Sequence, residues 1–97
     1  MKLIDFKWMT KRSYDPTGHA GRQIVLAFGE YELSIIDDGY GRDRGLLEIG
    51  TLKNGSMTAL PGITDETDTV KGYLTEADVD AIIIKMYTIS GKQPEQI

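Results

Sequence analysis

The chain has 97 residues and a formal net charge of −4, with 40% hydrophobic and 27% charged residues. This length fits one domain, which we assign to residues 1–91, followed by a short C-terminal tail at 92–97. The lack of cysteine excludes disulfide scaffolds and cysteine-ligated zinc or iron–sulfur sites. A pI of about 4.8 argues against direct nucleic-acid binding. The chain has no apolar run of membrane-spanning length and no signal-peptide pattern, so we expect a cytoplasmic protein without membrane contact.

The first third of the chain predicts β-structure. Period-two alternation over residues 2–10, with aromatic side chains on one face, is typical of a half-buried strand. Residues 11–23 lack periodicity and predict a long loop. Residues 24–28 and 31–37 predict a hairpin across the dipeptide Gly-Glu at 29–30, where glycine at the first turn position suits type II′.

A second hairpin is predicted after a loop at 37–45 that is rich in glycine and arginine. Residues 46–53 predict a strand, and residues 56–60 predict the strand that returns. The Asn-Gly dipeptide at 54–55 between them favours a type I′ turn. The acidic stretch at 63–73 shows no periodicity, which predicts irregular structure.

A C-terminal helix has the clearest local pattern. Thr75 and Asp78 form a near capping box, with Asp in place of the usual Glu or Gln. Gly91 predicts the end of the helix. The main apolar stripe, spaced i, i+3, i+4 and i+7, comprises Val79, Ile82, Ile83 and Met86. Ile84 and Ile89 lie off this stripe, which favours a helix that is covered on a second side as well.

These elements predict an α+β fold, with an antiparallel sheet of about five strands built from hairpins and one C-terminal helix packed on one face. One helix cannot cover both faces of such a sheet. Ile36, Leu46 and Leu52 are candidates for the second face. We expect another copy of the chain to cover that face, which would make the protein a homo-oligomer.

The sequence offers little support for an enzyme. It contains one histidine, His19, and no serine in a Gly-x-Ser-x-Gly turn. The acidic residues from Asp65 onward depart from the calcium-loop pattern, with Val70 where that pattern requires glycine. We therefore assign no catalytic residue, no metal site and no cofactor. A metal-dependent hydrolase or nuclease remains a third alternative.

The loop at 37–45 is the best candidate for a ligand site. It fits neither the dinucleotide-binding nor the P-loop pattern, because its glycine spacing differs and no helix follows it. Tyr40 can stack on a base, and Arg42 and Arg44 offer planar groups for phosphate or carboxylate. The alternative is an ordinary loop whose arginines pair with neighbouring aspartates. Further candidate ligand contacts are Arg12, His19 and Arg22.

Charge is distributed unevenly along the chain. Residues 1–22 contain five basic and two acidic residues, whereas residues 65–80 contain six acidic residues and one lysine. Such asymmetry suits self-association or docking to a charged partner. Candidate partner contacts are Asp65, Glu66 and Asp68. The alternative is that this acidic segment serves only solubility.

Four segments carry a family resemblance: Tyr-Glu-Leu-Ser-Ile-Ile at 31–36, Tyr-Gly at 40–41, Gly-Leu-Leu-Glu-Ile-Gly at 45–50, and Asp-Thr-Val-Lys-Gly-Tyr-Leu-Thr-Glu-Ala-Asp-Val at 68–79. They resemble small uncharacterised proteins encoded in tailed-bacteriophage genomes. The resemblance covers roughly residues 31–86 and includes no established catalytic motif. It implies an accessory protein made in an infected bacterium, which acts by binding host enzymes, immune effectors or nucleotide signals.

The favoured hypothesis is a non-enzymatic, phage-encoded, oligomeric protein that counteracts a host defence. It would bind a host protein or sequester a small anionic ligand such as a nucleotide. In the second case Arg42 and Arg44 would meet phosphate and Tyr40 would stack on the base. The alternative is a small structural or assembly subunit of a phage particle.

Overall fold

The structure is a computed structural model that describes residues 1–10 and 21–97. An antiparallel sheet and one C-terminal α-helix within these ranges confirm the predicted α+β fold. Arg12 and His19, predicted to contact a ligand, lie outside the described residues. The elements in chain order are β1 (Met9–Thr10), β2 (Arg22–Phe28), β3 (Tyr31–Ile36), β4 (Leu47–Lys53), β5 (Ser56–Met57), β6 (Val70–Leu74), α1 (Glu76–Ser90) and β7 (Glu95–Gln96).

Strands β2, β3 and β4 form the centre of the sheet. The strand order is β1-β2-β3-β4-β5. In addition, β6 pairs with β4 and β7 pairs with β2. Leu26 of β2 lies opposite Leu33 of β3, and both side chains are fully buried. A slip of one residue would turn these side chains to the other face, so burial fixes the register. The remaining inward side chains of β2 are Ile24 and Phe28, which are also fully buried.

Both predicted hairpin turns are present. The φ of Gly29 is +66°, whereas the φ of Glu30 is not positive. This is the pattern that a type II′ turn requires. Asn54 and Gly55 both have positive φ, at 51° and 82°, as type I′ requires. The strand after the second turn is shorter than predicted, because β5 ends at Met57.

Helix α1 begins and ends where the sequence predicts. Thr75 Oγ1 accepts a hydrogen bond from the Asp78 backbone N–H at 3.1 Å, and Asp78 Oδ2 accepts one from the Thr75 N–H at 2.9 Å. The Thr75 hydrogen bonds lower the pKa of Asp78. Gly91 ends the helix with a φ of +67°. The predicted apolar stripe is the buried face of α1, which packs on β2, β3, β4 and β6.

The strand predicted over residues 2–10 is wrong for most of its length. Leu3–Asp5 forms a turn of 3-10 helix, and only Met9–Thr10 pairs with β2. Leu3 is buried and its N–H donates to Asp80 Oδ1 on α1 at 2.7 Å. Ile4 is 85% exposed. The contact with α1 replaces strand pairing in this segment.

Two further short strands were not predicted. Residues 63–73 were expected to be irregular, but Val70–Leu74 forms β6 at the edge of β4. Residues 92–97 were expected to be a tail, but Glu95–Gln96 pairs with β2. The Gln96 side chain accepts from the Lys7 N–H at 2.8 Å and donates to the Lys7 carbonyl. A strand of two residues is too short to show alternation, and β6 contains Gly72, a residue that strand interiors usually avoid.

The sheet face opposite α1 carries half-buried side chains. Ile36 and Leu52 lie on this face, as expected, whereas Leu46 lies just before β4. Gln23 Nε2 donates to Ser34 Oγ across this face at 2.7 Å. Self-association through it stays a prediction. None of the helices in the described ranges is long and apolar enough to cross a membrane.

Replacing Thr75 with alanine should lower the free energy of unfolding by about 1 kcal/mol, because the Asp78 N–H at the helix start loses its acceptor. Urea unfolding followed by circular dichroism measures this loss. Thr88→Ala is the matched control, since the Thr88 hydroxyl donates to the Ile84 carbonyl in the body of the helix and caps no helix end. Equal unfolding midpoints for the two variants would contradict the capping role.

Candidate functional site

The loop that contains the predicted ligand residues forms a defined turn. The Arg44 N–H donates to the Gly41 carbonyl at 3.0 Å, and the Gly45 N–H donates to the Arg42 carbonyl at 3.1 Å. These bonds close one turn of 3-10 helix over Arg42–Arg44. Gly41 and Gly45 flank it with φ values of +98° and +70°, a region that glycine enters without steric penalty.

This loop, residues 39–45, packs directly against β6. The Tyr73 N–H donates to the Tyr40 carbonyl at 3.0 Å. A Cβ on Gly72 would lie 2.4 Å from the Tyr40 Cβ, and one on Gly41 would lie 3.1 Å from the Tyr73 Cα. The two segments therefore approach too closely for a side chain at either glycine.

Tyr73 has a strained backbone. Its φ is +58°, in the left-handed region that costs a residue with a Cβ about 1–2 kcal/mol. The strain occurs where the pairing of β6 with β4 shifts register between Leu47 and Ile49. Left-handed conformations at bulges usually belong to glycine. A tyrosine held there, with 61% of its surface exposed, suggests a role for the ring in binding.

An open cleft of about 320 Å³, which we name the Tyr40 cleft, is lined by the two tyrosines Tyr40 and Tyr73 and by the two arginines of the loop. Tyr40, 64% exposed, and Tyr73 provide two accessible aromatic rings. Among the described residues, the lining is Gly39, Tyr40, Gly41, Arg42, Asp43, Arg44 and Tyr73. The structure thus brings together three predicted ligand residues, namely Tyr40, Arg42 and Arg44, and adds Tyr73.

The arginines of the cleft are largely available to a ligand. Arg42 Nε lies 3.9 Å from Asp43 Oδ1, but both side chains are mostly exposed, so this pair contributes little. Arg44 forms no ion pair with any residue of the described ranges. Two guanidinium groups and one carboxylate give the lining a net positive charge. Aromatic rings beside guanidinium groups can stack on a planar ligand and bind its anionic group.

Arg22, the remaining predicted ligand contact in the described residues, lies elsewhere. Its Nε donates to Asp37 Oδ2 at 2.8 Å and its backbone N–H donates to Asp37 Oδ1 at 2.7 Å. Its guanidinium carbon also lies 5.0 Å from the centre of the Trp8 ring. These contacts hold the start of β2 against the end of β3. The side chain is not part of the Tyr40 cleft lining.

The predicted partner contacts form an exposed turn before β6. Asp65, Glu66 and Asp68 all lie at the surface. The Asp68 N–H donates to the Asp65 carbonyl at 3.0 Å, and Asp68 Oδ1 accepts from the Val70 N–H at 3.1 Å. Within residues 1–10 and 21–97, no group of three or more His, Asp or Glu side chains is arranged to hold a metal ion.

Sequence reasoning missed Tyr73, the residue that completes the cleft. Its backbone conformation results from a bulge between distant segments, and no local pattern reports it. The only sequence feature nearby is Gly72, which a strand would normally avoid. Glycine at an edge strand is typical of a bulge or a close backbone approach, and both occur here.

Comparisons with protein-family models, with curated proteins and with solved structures found no match to this chain.

The strain at Tyr73 predicts an inverted order of two substitutions. Tyr73→Gly should be more stable than Tyr73→Ala by about 1 kcal/mol, because only glycine relieves the left-handed backbone. In an ordinary strand position alanine is the more stable of the two. Urea unfolding of both variants measures the difference. A more stable alanine variant would contradict the strained conformation.

The Arg22–Asp37 contact predicts a pH-dependent stability. Burial alone would raise the pKa of Asp37, but the hydrogen bonds and charge of Arg22 together lower it. The stabilisation is therefore present above the unfolded-state pKa of about 3.9 and is lost as pH falls through the lower folded-state pKa. Asp37→Asn should unfold at lower urea than the wild type at neutral pH, with the gap closing in acid.

Urea midpoints across the pH range measure that gap. Asp65→Asn, the same substitution in the exposed turn, controls for the loss of one negative charge. A gap between wild type and Asp37→Asn that stays constant down to acid pH would contradict the ionic contribution.

Proposed function

We propose that this protein is a non-enzymatic binding protein that sequesters a small anionic, aromatic ligand of the nucleotide class in the Tyr40 cleft. The exposed ring of Tyr73 on a strained backbone is the observation that carries the proposal. Stability alone would favour glycine at this position. A ring kept there beside Tyr40 and two arginines is explained by contact with a planar anion.

Each part of a nucleotide has a matching group in the cleft. The Tyr40 and Tyr73 rings offer flat apolar surfaces on which a base can stack. Arg42 and Arg44 offer charged N–H groups for the phosphate. The cleft is open and lies at the lower end of the volume range for ligand sites, about 300–1,000 Å³. A second subunit at its mouth would enclose the ligand further.

The proposed biological setting is the cytoplasm of a phage-infected bacterium, where sequestering a nucleotide signal would weaken a host defence. The phage resemblance over roughly residues 31–86 supports this setting. The other form of the hypothesis, docking to a host protein, would use the acidic turn of Asp65, Glu66 and Asp68. The cleft favours the small-ligand form, because exposed carboxylates in a turn are also common on solvated surfaces.

Replacing Arg42 and Arg44 together with alanine should weaken binding of a nucleoside monophosphate about tenfold or more, because both phosphate contacts are lost. Asp43→Asn should strengthen binding about two- to fivefold, since it removes the one carboxylate of the lining. Isothermal titration with AMP, GMP, CMP and UMP at low ionic strength measures both effects.

The double variant Lys2→Ala/Lys92→Ala removes the same charge at exposed positions outside the cleft and serves as the control. It should bind much like the wild type. Failure of the wild type to bind any of the four nucleotides would overturn the proposal. Equal losses in the arginine and lysine double variants would also overturn it, because they would show an effect of net charge alone.

A further inference from the structure

A second cleft adjoins the first along β6. It has a volume of about 410 Å³ and lies between β6 and α1. Tyr73 lines this cleft as well as the Tyr40 cleft, so this residue is shared by the two. Within the part of the chain that the structure describes, it is lined by Lys71, Gly72, Tyr73, Leu74, Asp78, Ala81, Ile82 and Lys85.

This second cleft also presents positive charge. Lys71 lies opposite Ile49 in the pairing of β6 with β4, so its side chain leaves the strand on the helix side. Lys85 Nζ donates to the Gly62 carbonyl at 3.0 Å, which leaves two of its three N–H groups for a ligand. Asp78 contributes one negative charge, and its Oδ2 is engaged by the Thr75 N–H. The two lysines outnumber this carboxylate.

The strained backbone of Tyr73 connects the two clefts. The Tyr73 ring lies next to Gly41 on one side, since a Cβ placed on Gly41 would be 3.2 Å from Tyr73 Cδ1. On the other side β6 continues to Lys71 and the helix. Around Tyr73 the first cleft therefore contributes Arg42 and Arg44, and the second contributes Lys71.

On the basis of the proposed function, we infer that the ligand carries anionic groups on both sides of Tyr73, as a dinucleotide does and a mononucleotide does not. Each cleft alone is at the lower end of the volume range for a ligand site, about 300–1,000 Å³. A mononucleotide would occupy the first cleft and leave the lysines of the second unused. A dinucleotide places a second phosphate and base within their reach.

The test compares AMP with the 5′-phosphorylated dinucleotide pApA by isothermal titration at low ionic strength. The wild type should bind pApA about tenfold more tightly than AMP, because the second half of the ligand binds at a high effective concentration. Lys71→Ala should weaken pApA binding about three- to tenfold and leave AMP binding unchanged. Lys92→Ala, at an exposed position outside both clefts, should change neither.

The outcomes separate this inference from the proposed function. Equal affinities for AMP and pApA, or equal effects of Lys71→Ala on both, would overturn the two-cleft inference. Binding of AMP that still depends on Arg42 and Arg44 would then leave the proposed function standing. If the wild type bound neither AMP nor pApA, and also bound none of GMP, CMP and UMP, both would be overturned. Circular dichroism of each variant confirms that the fold is retained.

Discussion

The close approach of the 39–45 loop to β6 is the constraint on which the candidate site depends. One backbone hydrogen bond, from the Tyr73 N–H to the Tyr40 carbonyl, joins the two segments at 3.0 Å. Gly41 and Gly72 make this distance possible, because a Cβ at either would meet the opposing segment. A methyl group at Gly72 would collide with the Tyr40 Cβ at 2.4 Å, and one at Gly41 would lie in tight contact with Tyr73. The cleft therefore exists because two backbones meet without side chains between them.

The rest of the fold holds this strained edge in place. The strain at Tyr73 costs about 1–2 kcal/mol, against a typical total stability of about 5–15 kcal/mol for a domain. Strand β4 supplies the support, since it pairs with the central β3 on one side and with β6 on the other. Glu48 of β4 also accepts a weak hydrogen bond from the Tyr40 N–H at 3.4 Å. The candidate site thus lies where β6, an edge strand with a register shift, pairs with the regularly paired central strands.

Local patterns predicted the parts of the fold whose causes are local. The turns at Gly29 and at Asn54-Gly55, and the cap at Thr75, each depend on a few consecutive residues, and each is present. The prediction of an N-terminal strand failed because the Leu3 N–H forms a hydrogen bond with Asp80, a residue 77 positions away. Contacts of that separation leave no periodicity in the sequence.

The same distinction explains what could be predicted of the site. Tyr40, Arg42 and Arg44 share one short loop, so their proximity follows from the sequence. Tyr73 joins them only because β6 pairs with β4 out of regular register. Arg22 was grouped with them by charge, but its guanidinium pairs with the carboxylate of Asp37, which lies directly after the neighbouring strand β3. Charge and residue type identify candidates, and strand pairing decides which of them meet.

The outer edge of β2 is covered by two strands of two residues each, β1 and β7. Neither is long enough to be stable alone, and the bond between Gln96 and the Lys7 backbone ties the two segments together. The first and last segments of the described chain therefore protect the same sheet edge jointly. Release of either would expose unpaired N–H and C=O groups of β2 and create a template for edge-to-edge aggregation. Resistance to aggregation in this protein thus depends on contacts between segments about 90 residues apart in sequence.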